Sequence, residues 1–364
     1  MNNLQIQNNA EKGKNHIGVN YSCSQILDRV PVYEKQSIFS EGCNQRFLGW
    51  DRVKINDDFG VERDAIAPII ISATWRSDIP AWHSDWFMER LRRGHMLSTY
   101  RQRKYVSFDK TRVIVFWTKN AAPMFKHLDE LDQMGINYYF HYTLTDYQQD
   151  GPEPNIPPLV DRIATFKQLS NRLGKDRVIW RFDPLVLTDA INRERLNSKV
   201  ANLIGRLSGY TEKLVISFLD PTERKKVERQ LRGAGIRANR FSSQDMEYVS
   251  RSVADYAGRA GIKIAACAEA IDLSPYGIHK NKCIDDKYLR TVFRNDKALM
   301  SFLDIVAGVK NQGQRKLCGC IPSFDVGTYN TCKNGCVYCY ANTSQKAVAN
   351  NFKRLSSCGE TLLL

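Results

Sequence analysis

Six short apolar runs alternate with five helical segments through the middle of this chain, and that alternation limits its fold more than any other feature. Residues 67–74, 113–117, 138–144, 178–182, 214–219 and 262–266 are too short for helices and rich in β-branched or aromatic residues. They read as buried strands. Residues 82–93, 123–134, 157–173, 192–207 and 246–260 read as helices. The clearest is 157–173, where Leu159, Ile163, Phe166, Leu169 and Leu173 mark one face, proline stands at its start and Gly174 follows it. Such alternation calls for parallel strands joined by right-handed crossovers. Continuous apolar runs mean that both sheet faces are covered.

The expected fold class is therefore α/β, as a full or partial (six-stranded) β/α barrel of parallel strands. A doubly wound open sheet is the other layout. Polar residues at the strand ends favour the barrel: Arg76 and Asp78; Thr118, Lys119 and Asn120; Thr143 and Thr145; Arg181 and Asp183; Ser217 and Asp220; Glu269 and Asp272. In a parallel barrel all of these face one mouth, where active sites lie. The chain divides into an irregular N-terminal extension over 1–65, a barrel core over 66–270 and a cysteine-rich C-terminal segment over 271–364.

Composition bounds the function class. No apolar run approaches the roughly 20 residues that span a bilayer, and the first 16 residues hold no apolar signal core. The expected compartment is the cytoplasm, where thiols stay reduced. The formal net charge is +14. An excess of that size favours polyanions, although a basic but ordinary surface explains it as well. The basic run over 224–240 reads more readily as a solvated helix face than as a nucleic-acid patch, because Glu223 and Glu228 are positioned as helical partners.

Five of the ten cysteines fall near the end, in Cys318-Gly-Cys320 and Cys332-Lys-Asn-Gly-Cys336-Val-Tyr-Cys339-Tyr340. Thiolates grouped this way bind a metal or an iron–sulfur cluster. The residues by themselves leave open an iron–sulfur loop at Cys332, Cys336 and Cys339, a zinc site, and unligated thiols. Cys267, Cys283, Cys318 and Cys320 form a second candidate set, for an auxiliary iron–sulfur cluster or zinc. Cys23, Cys43 and Cys358 are unassigned. His83, His95, His127 and His141 show no metal spacing and read as surface or core histidines.

The C-x3-C-x2-C spacing, with Tyr338 before its last cysteine, resembles the cluster loop of radical S-adenosylmethionine enzymes. Thr74-x-Arg76-Ser-Asp-Ile-Pro-Ala81, Phe116-Trp-Thr-Lys-Asn120, Trp180-Arg-Phe-Asp-Pro184 and the Cys267–Glu269 and Cys283–Asp285 segments extend a resemblance over roughly 66–345. Together they look like a bacterial family of unknown function with a radical-SAM-like cysteine cluster at its C-terminal end. The resemblance implies a 4Fe–4S cluster on Cys332, Cys336 and Cys339, with S-adenosylmethionine chelated by the open iron. It also implies reductive cleavage to a 5′-deoxyadenosyl radical acting on an unknown substrate, and a reductant such as ferredoxin or flavodoxin. Tyr338, Asn342, Asn120, Thr143 and Ser217 are the expected cofactor contacts. Arg76, Asp78, Lys119, Arg181, Asp183 and Glu269 are the expected catalytic groups. A nucleic-acid substrate is raised by net charge alone. The alternative from another class is a metal-stabilised nucleic-acid-binding protein, with zinc or iron–sulfur and no radical chemistry.

Overall fold

In a computed structural model, the structure describes residues 48–100, 102–312 and 314–363. Most of the N-terminal extension, with Cys23 and Cys43, lies outside the described residues. Its last part, expected to be irregular, is paired: β1 (Asp51–Asn56) and β2 (Glu62–Ala67) form an antiparallel hairpin. The chain then enters the main sheet with β3 (Ile70–Ala73) and passes through two short helices, α1 (Ile79–Trp82) and α2 (Ser84–Arg92). It returns to the small sheet with β4 (His95–Ser98) and β5 (Lys104–Ser107), giving the order β1-β2-β5-β4.

The expected strands follow in register. They are β6 (Val113–Thr118), β7 (Asn137–Thr143), β8 (Val178–Leu185), β10 (Lys213–Phe218) and β12 (Lys263–Ala266). A two-residue strand β9 (Leu187–Thr188) pairs with β11 (Ala238–Asn239) outside the main sheet. The crossovers carry α3 (Leu128–Gln133), α4 (Leu159–Leu173), α5 (Arg193–Leu207), α6 (Lys225–Gly233) and α7 (Ser243–Arg259). After them come β13 (His279–Lys280), α8 (Asp286–Val292), α9 (Lys297–Ile305), β14 (Phe324–Asp325) and α10 (Gln345–Phe352).

The main sheet has eight strands in the order β13-β12-β10-β8-β7-β6-β3-β14, and every neighbouring pair is parallel. Its six central strands stand in chain order. That excludes the doubly wound layout, in which the order reverses at a switch point. The core is an α/β fold with a large parallel, barrel-like sheet. Among the described residues the sheet does not close into a six-stranded barrel: β13 and β14 extend it at its two edges and do not pair with each other.

Side-chain alternation explains the sheet's two faces. Ile71, Ile114, Phe116, Tyr138, Phe140, Trp180, Phe182, Leu214 and Ile216 bury one face under the crossover helices. The other face carries Ile70, Val113, Val115, Tyr139, Ile179 and Val215. These pack against Leu289, Phe293, Leu299, Phe302 and Leu303 of α8 and α9. Each such side chain, fully buried, contributes about 1.5–3 kcal/mol. Nearer the carboxyl ends this inner face turns polar, with Ser72, Trp117, His141, Arg181 and Ser217 at the alternate positions. Among the described residues no helix is long and apolar enough to cross a membrane.

Candidate functional site

The polar end of the inner face opens into a cavity of about 680 Å³. Strand-end residues Thr74–Asp78, Thr118, Lys119, Thr143, Arg181, Asp183 and Ser217 form its floor. The lid comes from the chain's last quarter, because β14 joins the sheet edge beside β3, with Phe324 opposite Ile71 and Asp325 opposite Ser72. From there residues 327–342 are carried over the carboxyl ends of the strands. The Thr74 hydroxyl bonds the Asp325 carboxylate, and Arg76 Nη1 donates to the Gly327 carbonyl at 3.0 Å. Arg76 also lies 3.2 Å from Asp325 and 3.4 Å over the Tyr100 ring.

Several expected catalytic groups hold the lid in place. One Asp78 oxygen accepts from Ala81 N and caps α1; the other accepts from Lys119 N at 2.9 Å and Asn334 Nδ2 at 3.0 Å. Burial raises the Asp78 pKa, and those donors only partly oppose it. Lys119 Nζ meets the Glu153 carboxylate at 2.7 Å, and the Tyr338 hydroxyl donates to the same oxygen. His83 is buried with Nε2 2.6 Å from the Thr331 carbonyl. Burial presses its pKa down to about 4.

All seven cysteines of the two candidate sets line this cavity. Cys267 and Cys283 bring their sulfurs to 3.6 Å. Arg181 Nη1 and Asn281 Nδ2 donate to Cys283 Sγ at 3.0 and 3.1 Å, and Cys283 N donates to Cys320 Sγ at 3.2 Å. Arg181 also pairs with Asp183, which accepts from Ser217. Burial raises the Cys332 and Cys336 thiols. Cys318 moves the other way, to about 7, chiefly because the Cys320 thiol bonds it.

Arg76, Asp78, Lys119, Arg181 and Asp183 therefore meet in one cavity, with Thr143, Ser217 and Tyr338. Glu269, Asn120 and Asn342 are not among its lining residues. Glu269 accepts from Phe218 N at 2.9 Å, Asn120 accepts from Ala122 N, and Asn342 Nδ2 donates to the Cys332 carbonyl at 2.7 Å. His141 is buried on the inner face, with Nε2 2.7 Å from the Cys283 carbonyl.

No three of the described thiol sulfurs lie within 4.8 Å of one another. Among the described residues, the one group of three or more His, Cys, Asp or Glu ligand atoms lying within 4.8 Å of one another is Asp58, His95 and Glu360. Sequence reasoning missed this group. His95 is 265 positions from Glu360, so no local spacing could signal it.

Among curated proteins none matches this chain. A solved structure of a putative alpha-L-fucosidase from Bacteroides thetaiotaomicron VPI-5482 is similar at 8% identity, over 53% of this chain and 74% of that one, with a TM-score of 0.22. Residues 70–341 match a family described as a domain of unknown function, DUF1848. That description carries no radical chemistry, and the close ligand group contains no cysteine. Both findings overturn the identification as a radical-SAM-like family and enzyme. The 4Fe–4S cluster on Cys332, Cys336 and Cys339, the bound S-adenosylmethionine, the auxiliary cluster or zinc on Cys267, Cys283, Cys318 and Cys320, and the metal-stabilised alternative built on the same thiols are corrected with it. The C-terminal segment carries its thiols over the cavity as a lid. By the extent of the match, the chain belongs to the DUF1848 family.

Proposed function

We propose that this chain binds a small anionic molecule in the thiol-lined cavity at the carboxyl ends of its parallel strands. One observation carries the reading. The inner cations Arg76, Lys119 and Arg181 are each neutralised by Asp325, Glu153 and Asp183. Arg224 and Arg315, also in the cavity wall, are exposed and have no carboxylate within 4 Å among the described residues. Arg224 lies over the Tyr340 ring, and Arg315 reaches only the Cys267 carbonyl and sulfur, at 3.5 and 3.6 Å. Arginines so placed suit a phosphate or carboxylate. Trp75, Tyr100, Trp117 and Tyr329 offer apolar walls to the rest of the molecule. A cavity of about 680 Å³ is of the size that takes small ligands.

A second reading is favoured by α6. Lys225 and Arg229 are exposed beside the mouth, with no carboxylate partner among the described residues. These cations suit the backbone of a single nucleic-acid strand whose end enters the cavity.

Calorimetric titration of the full chain with inorganic phosphate, AMP and a short single-stranded oligonucleotide tests both. The first reading expects AMP to bind, with Arg224→Gln and Arg315→Gln each weakening it about tenfold, or about 1.4 kcal/mol. The second expects the oligonucleotide to bind far more tightly than AMP, with a steep salt dependence that Lys225→Gln reduces. Binding unchanged by all three substitutions, or no binding of any probe, removes both.

A further inference from the structure

The small sheet holds a second candidate site, away from the cavity. Asp58 stands in the β1–β2 turn, His95 opens β4, and Glu360 comes from the C-terminal tail. None of the three lines the cavity. His95 is only 5% exposed. Its Nδ1 lies 3.0 Å from the Arg93 carbonyl, which can only accept, so Nδ1 carries the hydrogen. In the neutral ring Nε2 then presents a lone pair. It faces Glu360 Oε1 at 3.2 Å and Asp58 Oδ1 at 3.4 Å. A lone pair and two anionic oxygens at such separations need a cation or a proton among them.

The distances discriminate. A tetrahedral cation with ligand bonds of about 2.0–2.1 Å has ligand-to-ligand edges of about 3.3 Å. The outer oxygens are already held, Asp58 Oδ2 by Arg90 Nη1 at 2.9 Å and Glu360 Oε2 by the Tyr105 hydroxyl at 3.1 Å. Such outer partners orient ligands toward a metal. Of the two inner oxygens, Glu360 Oε1 accepts from Asp58 N at 2.8 Å, while Asp58 Oδ1 is buried and accepts no hydrogen bond. Arg93 Nη1, 3.8 Å from it, is beyond hydrogen-bond reach. Arg93 has its own carboxylate partner in Glu89, at 2.9 Å.

We infer that Asp58, His95 and Glu360 bind one first-row divalent cation, such as Zn²⁺ or Mn²⁺. One imidazole with two carboxylates suits these ions better than calcium or magnesium. The ion ties the tail to the small sheet. The tail already meets that region through Leu97 N to the Glu360 carbonyl at 2.8 Å, and through Trp86 Nε1 to the Gly359 carbonyl at 2.9 Å. Closing segments so distant in sequence stabilises the folded chain through its unfolded state.

Mn²⁺ titration of the full chain, followed by electron paramagnetic resonance, avoids the thiols, which hold this hard ion poorly. Zn²⁺ stoichiometry is measured in parallel. The wild type should bind one Mn²⁺ per chain and show a higher melting temperature with it. Glu360→Gln and Asp58→Asn, checked for folding by circular dichroism, should each weaken Mn²⁺ by about 100-fold. Each should also bind one Zn²⁺ fewer than the wild type. Equal Mn²⁺ affinity and equal Zn²⁺ stoichiometry in all three chains overturn the inference.

Discussion

Lys119 Nζ lies 2.7 Å from Glu153 Oε1, and the Glu153 side chain is completely buried. This pair joins the end of β6 to the loop before α4, and Tyr338 of the lid completes it. Burial works against the ionised carboxyl. Lys119, Thr145 and Tyr338 outweigh it and hold the pKa below the ordinary 4.5. A carboxyl depressed in the folded state stabilises the fold above about pH 4.5, and that stability is lost as pH falls through the folded value. Lys119→Met leaves a buried charge without its partner. It should cost about 3–5 kcal/mol in denaturant unfolding. A loss below 1 kcal/mol would show that water reaches Glu153.

His83 provides a second acid-sensitive contact. Burial lowers its pKa from 6.5 to about 4, so the ring is neutral at pH 7 and donates to the Thr331 carbonyl beside Cys332. The unfolded chain takes up the proton first as pH falls. Stability present above pH 6.5 is therefore lost between about 6.5 and 4, by roughly 3 kcal/mol. His83→Gln should flatten the stability profile in that window. An unchanged slope from pH 6.5 to 4 would place the acid sensitivity elsewhere.

Gly327 is fixed by a close approach. A Cβ there would overlap the Thr74 side chain, which bonds Asp325. Gly327→Ala must push the lid off β3 or displace Thr74. Overpacking of this kind costs about 1–3 kcal/mol. Denaturant midpoints measure the cost, and the same variant should loosen ligand binding in the cavity. Full stability in Gly327→Ala would mean that the β14 edge is free to shift.

The central strands were legible because each is a short run of Val, Ile and aromatic residues that only a buried strand explains. What fills their inner face was not. Leu289, Phe293, Leu299 and Phe302 read as short helical pieces, and nothing local marks Ile70, Val113 and Val215 as their partners. The small sheet was missed for a similar reason. In β1 only Val53 and Ile55 alternate with charged or polar neighbours, and the pairing of β2 with β5 reaches from Ala65 to Tyr105. Clustering of cysteines did signal a shared cavity. It did not determine what the thiols hold, because spacing in sequence does not fix the distances between sulfurs across a turn such as Cys336–Cys339.

Cys318 and Cys320 should differ sharply in reactivity, although one glycine separates them. The Cys320 thiol bonds the Cys318 sulfur and, against the opposing effect of burial, brings Cys318 down to about 7. Cys320 is held up at about 12. Its bond from Cys283 works the other way, and its donation to Cys318 and its burial prevail. The thiolate is the nucleophile, so Cys318 should react with iodoacetamide at a midpoint near pH 7 while Cys320 stays slow across the neutral range. Peptide mapping by mass spectrometry separates the two. In Cys320→Ala the Cys318 midpoint should climb toward the ordinary 9.0. A midpoint that stays near 7 in that variant would assign the shift to the backbone N–H of residue 320, which the substitution leaves in place.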